Sequence, residues 1–117
     1  MNAIAQMIAF YNSNDFSGLK NILAENCIYR SQWVFDEICG RDQICEYLTA
    51  ISKVIAKSGC FPTARKVAIS RPCQQEAIAI SPGSAEVRVI MLLDIENGKI
   101  RAIDLCMPKL FEYTALQ

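Results

Sequence analysis

The chain contains no histidine among its 117 residues. Histidine is the commonest general base near neutral pH and the usual nitrogen ligand of transition metals, so its absence excludes Ser-His-Asp and Cys-His catalysis. Mixed cysteine and histidine zinc sites are excluded for the same reason, and the sequence has no C-x-x-C pair. We therefore expect neither a metal site nor another cofactor.

The sequence also lacks an excess of charge and a long apolar run. Its 12 basic and 12 acidic residues cancel, and no cluster of lysine and arginine provides a footprint for nucleic acid. No apolar run reaches the roughly 18 residues of a membrane span, and MNAIAQMIAFYNSND lacks the basic start and cleavage site of a signal peptide. We expect a cytoplasmic protein that forms one domain over residues 1–117 and contacts neither nucleic acid nor membrane.

Six cysteines are present, an even number that would suggest disulfides in a small secreted domain. Without a signal peptide, and with most of them in apolar runs, they are expected to behave as small buried apolar side chains. A redox or nucleophilic cysteine is the alternative. The role of the segment Arg71-Pro72-Cys73 is undecided between two interpretations. Its proline ends a strand, and its cysteine is a candidate reactive thiol.

Helical periodicity appears three times in the first 59 residues. Ile4, Met7, Ile8 and Tyr11 predict a first helix that ends near Asn12. A short second helix over residues 17–24 is predicted after Asp15, a favourable capping residue. A longer third helix is predicted between Gly40 and Gly59, with an apolar stripe at Ile44, Tyr47, Leu48, Ile51 and Ile55.

A period of two replaces the helical period at residue 27. Tyr29, Ser31 and Trp33 then share one strand face, and residues 35–39 continue the strand or form a second one. After the third helix, strands are predicted over residues 65–70, 76–81, 85–95 and 99–107, and Asn97-Gly98 indicates a hairpin. Helices followed by a run of strands predict an α+β fold with helices packed on one face of the sheet.

The run from Val87 to Ile95 is apolar on both faces of its predicted strand, so both faces need cover. The helices can cover one face. For the outer face we expect a second subunit in an isologous homodimer. The alternative is that the tail, with Leu110, Phe111 and Tyr113, folds over that face.

Three segments carry a family resemblance: FYNSNDFSGLKNILAENCIY, GRDQICEYL and VIMLLDIENGKIRAIDLCMP. In their types and spacing they resemble the nuclear-transport-factor-2-like, or SnoaL-like, superfamily over nearly the whole chain. The resemblance implies a cone-shaped, cystatin-like α+β fold with three N-terminal helices packed on a curved mixed sheet. The chain is most similar to uncharacterised bacterial single-domain members that have a Y-x-S-Q-W block and a terminal IDLC, which bring no known reaction.

The resemblance also implies which side chains face into the cone. Alignment on ketosteroid isomerase, a member of the superfamily, adds residues from the third helix and the last two strands to the first strand's inner face. The implied ligand-binding set is Tyr29, Ser31, Trp33, Tyr47, Arg88, Ile90, Leu92, Ile103 and Leu105. The same alignment puts Met7, Ser31 and Ile90 where the isomerase needs a tyrosine and two aspartates, which argues against that reaction.

Two functions from different classes follow from this pattern. The first is a pocket that binds a small, mostly apolar molecule, with weak isomerase, cyclase or hydrolase chemistry carried by Tyr29, Asp36 and Arg88. The second is a non-catalytic dimeric module for protein interaction whose cone is packed shut. The catalytic residues, if there are any, stay unknown at this point.

Overall fold

The computed structural model describes residues 2–33, 36–83 and 86–116. Helix α1 spans Ala3–Ser13, and the side chain of Asn2 caps it by accepting a 2.9 Å hydrogen bond from the Ala5 N–H. It ends at Asn14, which adopts the left-handed conformation with φ 52°. The predicted first helix is therefore confirmed.

Helix α2 spans Arg41–Ser58 between two glycines, as predicted for the third helix. Gly40, with φ 101°, turns the chain into the helix. Gly59, with φ 73°, ends it by donating a hydrogen bond from its N–H to the Ile55 carbonyl. Its buried residues, Ile44 and Leu48, belong to the predicted apolar stripe.

The predicted second helix over residues 17–24 is wrong, so the described residues form two α-helices where three were expected. Only a 3₁₀ turn, Leu19–Asn21, forms there, and a strand begins at Leu23. The Ile100 N–H donates a 2.8 Å hydrogen bond to the Ile22 carbonyl, so the chain joins the sheet before a second helical turn can form. Tertiary pairing here overrides a weak local helical pattern.

The strands form one mixed sheet in the order β2-β1-β6-β5-β4-β3-β7. Strand β1 is parallel to β6, and every other neighbouring pair is antiparallel. The predicted hairpin at Asn97-Gly98 joins β5 to β6. The strands are β1 (Leu23–Ser31), β2 (Ile38–Cys39), β3 (Pro62–Arg71), β4 (Gln75–Pro82), β5 (Val89–Glu96), β6 (Lys99–Cys106) and β7 (Glu112–Ala115).

The inner face of the sheet packs against α1 and α2. We call the resulting core the inner cluster; among its fully buried members are Met7, Leu48, Met91 and Ile103. The side chain of Asn12 ties α1 to the sheet through two hydrogen bonds to the backbone of Ala64, of 2.9 and 2.7 Å. The helices therefore cover this face, as the sequence predicted.

The outer face carries a second core, which we call the outer cluster: Val67, Ile69, Ala77, Ala79 and Ile90. Phe111 and Tyr113 pack against it. Both residues belong to the tail that follows β6. The tail crosses the sheet to its far edge, where it adds β7 beside β3, a strand that the sequence did not predict. The tail thus packs on part of the face for which we expected a second subunit, and the homodimer stays a prediction.

The orientation predicted for β5 is wrong. Val89 and Leu93 pack on the inner cluster and Met91 is part of it, whereas Ile90 and Leu92 belong with the outer cluster. Because nearly every residue of this strand is apolar, its sequence pattern is compatible with either orientation. The pairing of Ile78 with Met91 and of Ala79 with Ile90 sets the orientation in the sheet.

Within the described residues, no helix is long and apolar enough to cross a bilayer.

Candidate functional site

Two tyrosines of the inner cluster, and a third whose ring contacts one of them, come from three different elements. Tyr11 comes from the last turn of α1, Tyr29 from β1 and Tyr47 from α2. The rings of Tyr29 and Tyr47 are in contact, with their centroids 5.4 Å apart and their planes at 60°. Tyr11 and Tyr29 are buried, the latter to 4% exposure, whereas Tyr47 is 37% exposed. The group therefore reaches from the core to the surface.

Burial sets the electrostatics of this group, which we call the tyrosine cluster. Burial raises the pKa of Tyr11 and of Tyr29 well above the ordinary value of 10, because the phenolate would lose its hydration. Neighbouring tyrosines raise both values further: Tyr47 acts on Tyr11, and both Tyr11 and Tyr47 act on Tyr29. At neutral pH the buried hydroxyls are protonated and able to donate hydrogen bonds.

The surroundings of the tyrosine cluster are apolar. Ile44, Leu48, Met91 and Ile103 are fully buried in the same core, and Leu105 packs against it from β6. The buried carboxylate that proton abstraction would need is not found among the described residues. The arrangement can orient an acceptor oxygen of an apolar molecule, and it offers little for acid-base chemistry.

Of the predicted ligand-binding residues, Tyr29 and Ile103 lie in the inner cluster, Leu105 packs against it, and the ring of Tyr47 contacts that of Tyr29. Ser31 lies at the end of β1, half-buried, where its hydroxyl accepts a 3.2 Å hydrogen bond from the Trp33 N–H. Ser31 therefore shapes the turn that leaves the strand. The ligand-binding role of each of these five residues stays a prediction.

Trp33 and Arg88 depart from the predicted inward orientation, as do Ile90 and Leu92. Trp33 is 53% exposed in the connection between β1 and β2, and Arg88 is exposed just before β5. Ile90 and Leu92 lie on the outer face. Phe35 and Ala85, each the first residue of a predicted strand segment, lie outside the described residues.

Tyr11 is the member of the tyrosine cluster that the sequence-based site prediction missed. The periodicity placed it on the buried face of α1 with Met7, where it counted only as core. Its hydroxyl was the available signal, because a buried phenol on an otherwise apolar helix face needs a polar neighbour.

The remaining reactive groups lie apart from the tyrosine cluster or are disfavoured by burial. Asp36 and Glu37 are exposed. Burial raises the pKa of the Cys27 thiol to about 11, which disfavours the nucleophilic thiolate. Cys73 is exposed, and its Sγ lies 3.3 Å from the side-chain oxygen of Gln75. The described residues bring no three Cys, Asp or Glu side chains together as a metal site.

Comparison with known proteins identifies the fold. No family model matches the chain, and no curated protein is similar to it in sequence. Solved structures are similar: a steroid delta-isomerase from Pseudomonas aeruginosa has a TM-score of 0.56 at 16% identity, with 86% of this chain and 73% of the other covered.

Two further structures extend this comparison. An LEH-like epoxide hydrolase from M. tuberculosis has a TM-score of 0.57 at 16% identity, with 92% of this chain and 76% of the other covered. An NTF2-like protein of unknown function from Cytophaga hutchinsonii has a TM-score of 0.56 at 13% identity, with 89% and 85% covered. The chain has the nuclear-transport-factor-2-like fold that its sequence resembles.

Proposed function

We propose that this protein binds a small, mostly apolar molecule that carries a neutral acceptor oxygen, and that the tyrosine cluster holds it. The observation that carries the proposal is the contact between buried Tyr29 and partly exposed Tyr47, whose ring centroids lie 5.4 Å apart. A ligand that reaches this pair from the surface meets aromatic faces and a hydroxyl donor at the same place. Sites for small molecules are typically apolar with a few such polar groups.

The charge state of the tyrosines selects the ligand class. Because burial holds the hydroxyls of Tyr11 and Tyr29 in their neutral form, they favour a carbonyl, ether or hydroxyl oxygen as acceptor. Burying the ionised group of a charged ligand there would lose its hydration without an opposite charge to replace it. A neutral ligand is therefore preferred.

Binding is better supported than turnover. The isomerase and the epoxide hydrolase share this fold but act by different chemistries, so the fold does not select a reaction. Of the three residues that the sequence suggested for weak isomerase, cyclase or hydrolase chemistry, Tyr29 alone is buried in the inner cluster. Asp36 and Arg88 are exposed, and a hydroxyl donor without a base is a binding group.

A pair of probes of similar shape tests the proposal. 1-Acetylnaphthalene carries a carbonyl oxygen, whereas 1-ethylnaphthalene is similar in shape and lacks it. We expect the ketone to raise the melting temperature more than the hydrocarbon, because it also accepts a hydrogen bond. Tyr29→Phe should remove the difference between the probes, with affinity for the ketone falling about fivefold for about 1 kcal/mol.

Tyr113→Phe is the matched control, because it removes a hydroxyl beside the outer cluster. It should leave the difference between the probes intact. Equal melting temperatures with and without either probe, across the range of their solubility, would sink the binding proposal.

A second candidate is the non-catalytic interaction module with a packed cone. Its support is the complete burial of Ile44, Leu48, Met91 and Ile103, which fill the inner cluster. In that case the tyrosine hydroxyls serve only the core, and Tyr29→Phe changes stability without changing the response to either probe.

A further inference from the structure

The exposed side of α2 carries an apolar stripe. Tyr47 is 37% exposed and Val54 is 67% exposed, and with Ala50 between them they recur at i, i+3 and i+7. This spacing places them along one flank of the helix, beside the face that Ile44 and Leu48 bury. An open surface depression of about 390 Å³ lies on the neighbouring solvent side of the helix and shares Ala50 with this stripe. Its lining is Cys45, Glu46, Thr49, Ala50 and Lys53.

Charged residues divide by sign along the solvent side of α2. Asp42 and Glu46 lie in its first half, and Lys53 and Lys57 lie in its second half, all four exposed. Each pair puts like charges one turn apart, an arrangement that destabilises an isolated helix.

The helix dipole accounts for only part of this charge pattern. It stabilises Asp42 in the first turn and Lys57 in the last turn, but its effect has faded at Glu46 and Lys53. Asp42 also has a partner in Lys20, at 3.6 Å. Among the described residues, Glu46, Lys53 and Lys57 take part in no ion pair.

We propose that the exposed side of α2 binds a second copy of this chain, with the two α2 helices antiparallel about a twofold axis near Ala50. In this register Tyr47 of each copy packs against Val54 of the other, as an isologous contact requires. Glu46 of each copy then lies between Lys53 and Lys57 of the other. The like charges within one helix become opposite charges across the pair.

The size of the contact sets its strength. One helix pair buries less than the roughly 1,200–2,000 Å² of a standard specific interface, so the dimer is weak and reversible. It also differs from the outer-face dimer predicted from the sequence, because Phe111 and Tyr113 already pack on that outer face. The two dimers use separate surfaces and can be told apart by mutation.

Charge reversal on α2 provides the test, with association measured by sedimentation velocity from about 1 μM to about 1 mM. Wild-type protein should dimerise within this range, and more weakly in high salt. Glu46→Lys alone, and Lys53→Glu with Lys57→Glu alone, should each weaken self-association at least tenfold, because the facing charges become alike. An equimolar mixture of the two variants should form a heterodimer, because every facing pair is again opposite in sign.

The heterodimer separates this proposal from a loss of folding, because a misfolded variant cannot regain association by mixing. Val54→Glu should abolish the dimer, while Leu110→Glu, at another exposed apolar residue, should leave it intact. Wild-type protein that stays monomeric at every concentration would overturn the proposal. So would a mixture without heterodimer, or a dimer that survives Val54→Glu.

Discussion

On its inner face the sheet packs Met91 and Ile103 against two helices, whereas on its outer face Val67 and Ile69 pack with Phe111 of the tail. Both clusters are buried, but only the inner one contains buried tyrosines, Tyr11 and Tyr29. The outer cluster is aliphatic apart from the tail's aromatic rings at its edge. The inner face therefore combines a buried core with the tyrosine cluster for which we propose ligand binding, while the outer face is a purely structural core closed by the tail.

The strongest way to break this comparison is to open the inner cluster. Leu48→Ala should lower the free energy of unfolding by about 2–5 kcal/mol, because it leaves a cavity beneath α2. Val54→Ala on the same helix should cost less than about 1 kcal/mol, because that side chain is 67% exposed. Urea unfolding of both variants measures the difference, and equal losses would contradict the assignment of the buried face.

The outer face is tested by removing the aromatic rings of the tail. Phe111→Ser combined with Tyr113→Ser should lower the free energy of unfolding by roughly 2–4 kcal/mol, since both half-buried rings lose their contacts with the outer cluster. Chemical unfolding gives the loss, and dye binding reports newly exposed apolar surface. If the double variant were as stable as the wild type, and stability rose with protein concentration, a second subunit would instead cover this face.

The buried tyrosines predict a pH dependence that belongs to the inner face. The pKa of Tyr29 is raised above its unfolded value of about 10, so the folded state keeps a proton that the unfolded state loses. This contribution to stability is complete below pH 10 and is lost as the pH rises above it. The melting temperature should fall above pH 10, and less steeply in Tyr29→Phe. Identical slopes in the two proteins would contradict the burial of this hydroxyl.

The smallest expected effect lies on the outer surface of β1 and β6. Arg30 donates two hydrogen bonds to Asp104, of 2.7 and 3.1 Å, at a site open to solvent. Asp104→Asn should cost about 0–1 kcal/mol, because exposed ion pairs are screened. A loss above about 3 kcal/mol that shrinks on dilution would show that an outer-face dimer buries the pair.

Local signals in the sequence predicted α1, α2 and the hairpin at Asn97-Gly98 well. Each has a strong local cause: an apolar helical stripe, or a glycine where the chain needs positive φ. The segment at residues 17–24 failed because its apolar spacing fits a helix, while the hydrogen bond from Ile100 to Ile22 draws it into the sheet. Strand β7 was missed because four residues at an edge carry too little pattern.

The sequence predicted the positions of some residues of the candidate site and not of others. Alternation put Tyr29 on one face of β1 and the helical stripe included Tyr47, and the family resemblance then implied that both face into the cone. Ile90 and Leu92 were placed inward by alignment, but their strand is apolar on both faces and its orientation follows from its pairing with β4. The third tyrosine, Tyr11, is brought to the site by the packing of α1 on the sheet.

The sequence alone determined the fold class, the two α-helices, the hairpin at Asn97-Gly98 and the absence of histidine chemistry, because these depend on residue type and local spacing. Only the tertiary structure decided which face of β5 points inward, that the tail packs on the outer face, and that the rings of Tyr29 and Tyr47 are in contact. Those outcomes depend on strand pairing between residues far apart in the chain, and local periodicity carries no record of it.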